Sequence, residues 1–178
     1  VRADARRNRE LIVTTAADLF VERGPEVSME EIARAAGVGV GTLYRHFPDR
    51  RALVEAISVD ALQRLLDYGR AVSEQDVSGW EALRLIVRRC TELPLALATS
   101  VTGGSALPGR AELPGLVQAV NAELEWAAAR AQREGTLRRD IPAREVIALI
   151  SVAVCRPGAR IDDPLVRVVF DGLRATGA

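Results

Sequence analysis

The sequence predicts an all-α fold of about nine helices, with a small N-terminal three-helix unit over residues 1–52 and a larger helical body over residues 53–178. Three observations lead there. Apolar residues recur three and four apart along most of the chain, and the many β-branched residues follow that period instead of strand alternation. Two Ser-x-x-Glu pairs, Ser28 with Glu31 and Ser78 with Glu81, are capping boxes in which each side chain satisfies a free N–H of the other. Gly24-Pro25, Gly37, Pro48-Asp49 and Gly135 stand where the apolar stripes stop.

In the first segment Ile12, Ala16, Leu19 and Phe20 form a one-sided stripe that Gly24-Pro25 ends, since Pro lacks the N–H donor and fixes its own φ. Ser28 opens the second helix, whose inner face is Met29, Ile32, Ala33 and Ala36, and Gly37 stops it. A short turn leads into a helical piece over 40–47. Pro48-Asp49 breaks it and caps a longer helix with the stripe Leu53, Ile57, Ala61, Leu65 and Tyr68. After a polar connection over 72–79, Ser78 opens a helix carrying Leu83, Ile86, Cys90, Leu93 and Leu97 on one side. Thr102-Gly103-Gly104-Ser105 and Pro108-Gly109 form the most loop-like stretch. A helix over 114–134 turns Leu116, Val120, Leu124, Ala127 and Ala131 inward, and Gly135 closes it. Pro142 suits the first turn of the next helix, whose run over 146–155 is apolar on nearly every side. Asp163-Pro164 opens a last helix with Leu165, Val168, Val169, Phe170 and Leu173.

A chain of 178 residues can bury one core, or a small module docked on a larger one. No apolar run approaches the ~18 residues needed to span a bilayer, so no membrane partner is expected. The opening Val1-Arg2-Ala3-Asp4 carries no apolar signal core, and the missing initiator Met is read as a start after a trimmed leader. Cys90 and Cys155 lie far apart in apolar stretches with no metal or redox spacing, which fits a reducing cytoplasm and no metal or cofactor. The sequence holds no nucleophile–base–acid set, no paired carboxylates in an apolar setting and no phosphate loop after a strand, which argues against an enzyme.

The formal net charge is zero, yet placement matters more than the sum. Every basic residue is Arg, and Arg2, Arg6, Arg7 and Arg9, then Arg45, Arg50 and Arg51, bunch near the N-terminus. The guanidinium fork suits phosphate oxygens. Asp18, Glu22, Glu26, Glu30 and Glu31 fall between these clusters, so charge alone leaves an ordinary solvated surface equally open.

A helix, a tight Gly turn and a short second helix, braced by an earlier one, make a helix-turn-helix. The second helix must be short, stand clear of the body and show small or polar residues outward to enter a major groove. Val38, Leu43 and Phe47 point inward at helical spacing, leaving Gly39, Val40, Gly41, Thr42, Tyr44, Arg45 and His46 for the outer face.

The run Ser28-Met29-Glu30-Glu31-Ile32-Ala33-Arg34-Ala35-Ala36-Gly37-Val38-Gly39-Val40-Gly41-Thr42-Leu43-Tyr44-Arg45-His46-Phe47-Pro48-Asp49-Arg50-Arg51-Ala52-Leu53 resembles the DNA-binding domain of TetR-family repressors. Ala16-Ala17-Asp18-Leu19-Phe20, with Gly24 after it, is similar to that domain's first helix. The resemblance covers roughly the first third of the chain and implies double-stranded operator DNA as partner. Thr42, Tyr44 and His46 stand where family members bond phosphates; the Tyr44 ring also suits packing partly on the core. Arg50 occupies the place of a Lys at the start of the fourth helix, able to pair with a phosphate, and Ser28 lies at an N-cap that approaches the backbone. Val40 and Gly41 fall where base edges are contacted: Val40 suits a thymine methyl, and Gly41 a close backbone approach. Arg45 is the candidate for a guanine contact, with a surface or phosphate role equally open. The Arg-rich start reads either as a groove-crossing arm or as a disordered one.

The run over 146–155 is either a central core helix or, with 165–173, half of a four-helix interface with a twofold mate, as the last two helices are in the TetR family. Val146, Ile150, Val154, Leu165, Val169 and Leu173 are the interface candidates. Tyr68, Trp80, Cys90, Leu93, Leu97, Val120, Leu124 and Trp126 are candidate walls of a pocket, or plain core. That mostly apolar set points to an uncharged or weakly polar effector. The expectation is a homodimeric repressor released from its operator by a small molecule; the alternative is an activator or ligand-independent DNA-binding factor on the same fold.

Overall fold

Periodic apolar stripes and capping signals produce eight helices among the residues that the structure, a computed structural model, describes: 2–24, 26–95, 112–156 and 158–175. They are α1 (Arg2–Arg23), α2 (Met29–Ala35), α3 (Val40–His46), α4 (Arg50–Ser73), α5 (Gly79–Glu92), α6 (Glu112–Arg133), α7 (Ala143–Val154) and α8 (Pro164–Leu173). Leu97 and the Gly-rich stretch after Thr102 lie outside the described residues. The one β-type pairing among the described residues is an antiparallel bridge between Leu137 and Arg174, which ties the turn after α6 to the end of α8. No described helix is long and apolar enough to cross a membrane.

The Arg-rich start is helical rather than disordered. It forms the first turns of α1, a continuous helix of 22 residues in which Arg6 pairs with Glu10 at 2.8 Å, one turn on.

Side chains sort into two apolar cores. The first gathers Ile12, Ala16 and Phe20 of α1, Ile32 of α2, Leu43 of α3 and Phe47 with Leu53, Ala56 and Ile57 from the first turns of α4. The second begins at Ala61, further along α4, and takes in Leu65, Leu83, Ile86, Leu124, Ile150 and Phe170. The expected boundary at 52/53 thus falls inside α4, and the two cores part between Ile57 and Ala61. Ser58 sits at that parting, fully buried, its hydroxyl donating to the Val54 carbonyl at 2.9 Å. Bonding back to its own helix satisfies a hydroxyl that neither core could.

In the body, α4 packs on α5 and α6, α5 packs on α6, and α7 lies between α6 and α8. A close backbone approach lies at Gly79, the first residue of α5. Its N–H donates to the Glu134 carboxylate at 2.7 Å, and a Cβ there would meet the Ala131 nitrogen at 2.3 Å. Only Gly lets these backbones touch. Gly79→Ala is therefore expected to lower unfolding free energy by about 1–3 kcal/mol through overpacking, read as a shift in the urea midpoint.

Candidate functional site

The second helix of the N-terminal unit is held by its caps. Ser28 accepts from the Glu31 N–H at 3.2 Å, and the Glu31 carboxylate takes the Ser28 N–H at 2.9 Å and its hydroxyl at 3.0 Å. Those bonds hold the Glu31 carboxyl below the usual carboxylate range. The box therefore stabilises the fold above the ordinary carboxylate pKa and is lost as pH falls through the lowered value. The Ser28 hydroxyl is already committed to this box.

Gly37 ends α2 with φ +66°, a conformation that costs Gly nothing. Val38 then donates to the Ala33 carbonyl at 3.0 Å and Gly37 to that of Arg34 at 3.2 Å, a Schellman closure that turns the chain into α3. Leu43 and the following Phe47 are buried and root α3 on α1 and α2. The rest of α3 faces outward: Val40, Gly41, Tyr44 and Arg45 are exposed, and Thr42 and His46 are half-buried. Tyr44 keeps 41% of its surface accessible, so its ring is partly seated and partly free.

Arg45 lies back along its own helix, its Nε donating to the Gly41 carbonyl at 3.2 Å and its Nη2 to the Thr42 hydroxyl at 2.9 Å. This brings Gly41, Thr42 and Arg45 into one polar patch on the exposed face. Arg9 of α1 stacks over the Phe47 ring at 5.2 Å and adds a cation beside the end of α3.

Arg50 does something the sequence pattern does not reveal. Instead of reaching out, its guanidinium lies over the Phe20 ring at 5.1 Å and donates to the Val27 carbonyl at 2.5 Å. Its Nη2 is buried without a hydrogen-bond partner. In this arrangement Arg50 fastens the start of α4 to α1 and to the loop before α2, and the atom left over is closed to solvent. Asp49 caps α4 beside it, accepting from the Ala52 N–H at 2.7 Å.

In the body, a cavity of about 610 Å³ lies among α4, α5, α6 and α7. Cys90, Val120 and Leu124 line it, together with Leu62, Leu65, Asn121, Ser151 and Cys155. Tyr68, Trp80, Leu93 and Trp126, proposed for the wall from the sequence, do not. Tyr68 packs under Arg89 and Trp126 under Arg130, while Trp80 meets Phe170 edge-on at 5.6 Å with Arg174 over its face. Leu93 is a half-buried side chain against the body core. The aromatic positions anchor helix surfaces because a large ring with a cation above it is stable at a rim. Asn121 was legible in principle, being a polar residue on the α6 stripe one step from Val120 and three from Leu124.

Four of the six side chains expected on a twofold face are buried within the chain itself. Val146, Ile150, Val154 and Leu173 are 0–6% exposed and belong to the protomer's own core, and Ile150 and Val154 line the cavity. Leu165 is exposed and Val169 half-buried. The apolar side chains that α7 and α8 turn outward are Leu149 and Val152, at 47% and 76%, with Leu165 and Val168, at 45% and 68%. The apolar residues of both helices extend past a single face, so only packing could say which of them are spare.

Comparison with known proteins fits this geometry. A sequence model described as bacterial regulatory proteins of the tetR family matches residues 12–57, and one described as the C-terminal domain of SbtR-like transcriptional regulators matches residues 80–175, more than half the chain. The chain belongs to the TetR family. The crystal structure of a TetR transcription regulatory protein from Mycobacterium vanbaalenii is 37% identical with TM-score 0.67, covering 97% of this chain and 98% of that one. A gamma-butyrolactone receptor described as ArpA-like is 27% identical with TM-score 0.62, over 86% of this chain and 79% of that one. An HTH-type transcriptional regulator of Staphylococcus aureus is 49% identical over 59 residues, 32% of this chain and 30% of that protein. The chain spans less than half the length of the curated relatives it matches. In this TetR-family chain the first matched segment, 12–57, spans the first core from Ile12 to Ile57, and the second, 80–175, takes in the part of the second core that lies beyond α4.

Arg50→Ala removes a charged hydrogen bond and a ring contact from a partly buried junction. It is expected to cost about 2 kcal/mol in urea unfolding. Arg50→Lys should recover less than half of that, because a point charge cannot lie flat on Phe20 while reaching Val27.

Proposed function

We propose that this chain is a DNA-binding transcriptional regulator: a homodimeric repressor whose α3 enters the major groove and whose cavity takes the small molecule that releases it. The observation that carries the reading is the division of labour on α3. Leu43 and Phe47 are sunk in the core while Val40, Gly41, Tyr44 and Arg45 stay clear of it. A seven-residue helix presented this way offers a groove-sized edge on a rigid base. Thr42, Tyr44 and His46 serve phosphates, Val40 and Gly41 approach base edges, and Arg45 reads a guanine from its perch on Thr42. Arg50 and Ser28 act on the DNA face from behind, by fixing the helices that carry it.

Two copies meet through the outward stripe of Leu149, Val152, Leu165 and Val168, since an apolar face of this kind is costly to leave wet. The twofold sets the two α3 helices at successive major grooves about 34–36 Å apart. The effector is apolar or weakly polar, in keeping with the lining of the cavity and with a structural relative named for its gamma-butyrolactone. Its binding favours a spacing of the α3 helices that no longer fits the operator.

Selection of bound sequences from a random duplex pool tests the reading, with a two-half-site consensus as the expected result; recovery of the unselected pool overturns it. On the selected site Arg45→Ala should cost about 1–3 kcal/mol and relax preference at one base position. Tyr44→Phe should weaken all sequences alike. Val168→Glu should convert the dimer to monomer in sedimentation and abolish binding to the two-half-site duplex, while binding that persists in a monomer removes the dimer model.

A further inference from the structure

Among the described lining residues, Asn121 and Ser151 alone carry polar side-chain nitrogen or oxygen; the others are aliphatic save the thiols of Cys90 and Cys155. Asn121 on α6 and Ser151 on α7 are half-buried polar side chains that line the same space, carried by helices packed on each other. No hydrogen bond among the described residues engages either side chain. No Arg, Asp or Glu belongs to the described lining. Burial pushes the thiols of Cys90 and Cys155 up, so both face the cavity as neutral, unreactive groups.

We propose that the cavity selects an uncharged, mainly apolar ligand with one hydroxyl or carbonyl group, held by Asn121 and Ser151, and rejects the carboxylate of the same shape. This rests on reading the cavity as the effector site and names the chemistry that the site accepts. An amide and a hydroxyl each donate and accept, so together they satisfy a neutral oxygen whichever way its proton points. A carboxylate would leave water for a lining that, among the described residues, offers no cation to receive it. A bare hydrocarbon would strip water from Asn121 and Ser151 and return no hydrogen bond. The volume of about 610 Å³ is in the range that encloses a small organic molecule.

The test measures binding of 1-decanol, 2-undecanone and decanoate to the full chain at neutral pH by calorimetry, with no DNA present. The alcohol and ketone are expected to bind at least about tenfold more tightly than the acid. Asn121→Leu and Ser151→Ala should each weaken the neutral ligands by about five- to tenfold and narrow the gap to the acid, with unchanged thermal unfolding of the free protein. Ser151→Ala, the smaller change, carries the test alone if Asn121→Leu fails to fold. Equal affinity for decanol and decanoate overturns the proposal, as do wild-type affinity in both variants or no binding of either neutral compound. Operator release is titrated separately. Neutral ligands that bind but leave DNA affinity unchanged support the selectivity and sink the effector reading, whereas release by decanoate supports the effector reading and sinks the selectivity.

Discussion

Helix α4 belongs to both cores, and most of what this protein does depends on that sharing. It runs 24 residues, ~36 Å at the usual rise, with Leu53, Ala56 and Ile57 in the first core and Ala61, Leu62 and Leu65 in the second. A continuous helix cannot shift in one core without moving in the other. Arg50 ties its first turn to α1 and to the loop before α2, Asp49 caps that turn, and Leu62 and Leu65 form part of the cavity wall. On the function proposed above, a cavity occupant that prefers one tilt of α4 would change where α3 stands, with a coupling no larger than the difference in its affinity for the two tilts.

Helix α3 itself has little stability of its own. Seven residues are too few to sustain a helix in water, and its N-cap Gly39 contributes no side-chain bond. Tertiary contacts supply what is missing: two buried side chains, the Schellman turn that aims it and the Arg9–Phe47 stack at its end. Because so few residues root it, the others are released from packing. An exposed, chemically varied face on a fixed helix is the outcome of that economy, and Arg45 bonded across to Thr42 has fewer rotamers to lose on contact with a partner.

The body follows the same logic with less excess. Beyond Arg144 and Glu145 in its first turn, α7 is apolar but for Ser151, with one face in the core, one on the cavity and one outward. Val152 lies on both the cavity rim and the outward stripe, so cavity and exposed face share a side chain. Gly79 lets α5 and α6 approach closely at the far end, which keeps that part of the core dense while the opposite part stays open.

Sequence by itself determined the helical class, the Ser28–Glu31 capping box, the Gly37 turn and the inward set Leu43 and Phe47, because each follows from interactions within a few residues along the chain; at Ser78 only half of the expected box forms, the serine hydroxyl accepting from the Glu81 N–H. It also displayed the outer face of α3, since a short helix with two buried positions leaves the rest to solvent. Tertiary structure alone decided three matters. Arg50 turns inward because Phe20 and the Val27 carbonyl, both distant in sequence, offer its guanidinium a ring and an acceptor. The spare apolar stripe is Leu149, Val152, Leu165 and Val168 and not Val146, Ile150, Val154 and Leu173, because the apolar residues of α7 and α8 extend past the face that the core covers, and only packing says where that cover ends. Asn121, Ser151 and the two thiols share one cavity because four helices converge there, and convergence is a property of packing angles that no single stretch of chain encodes.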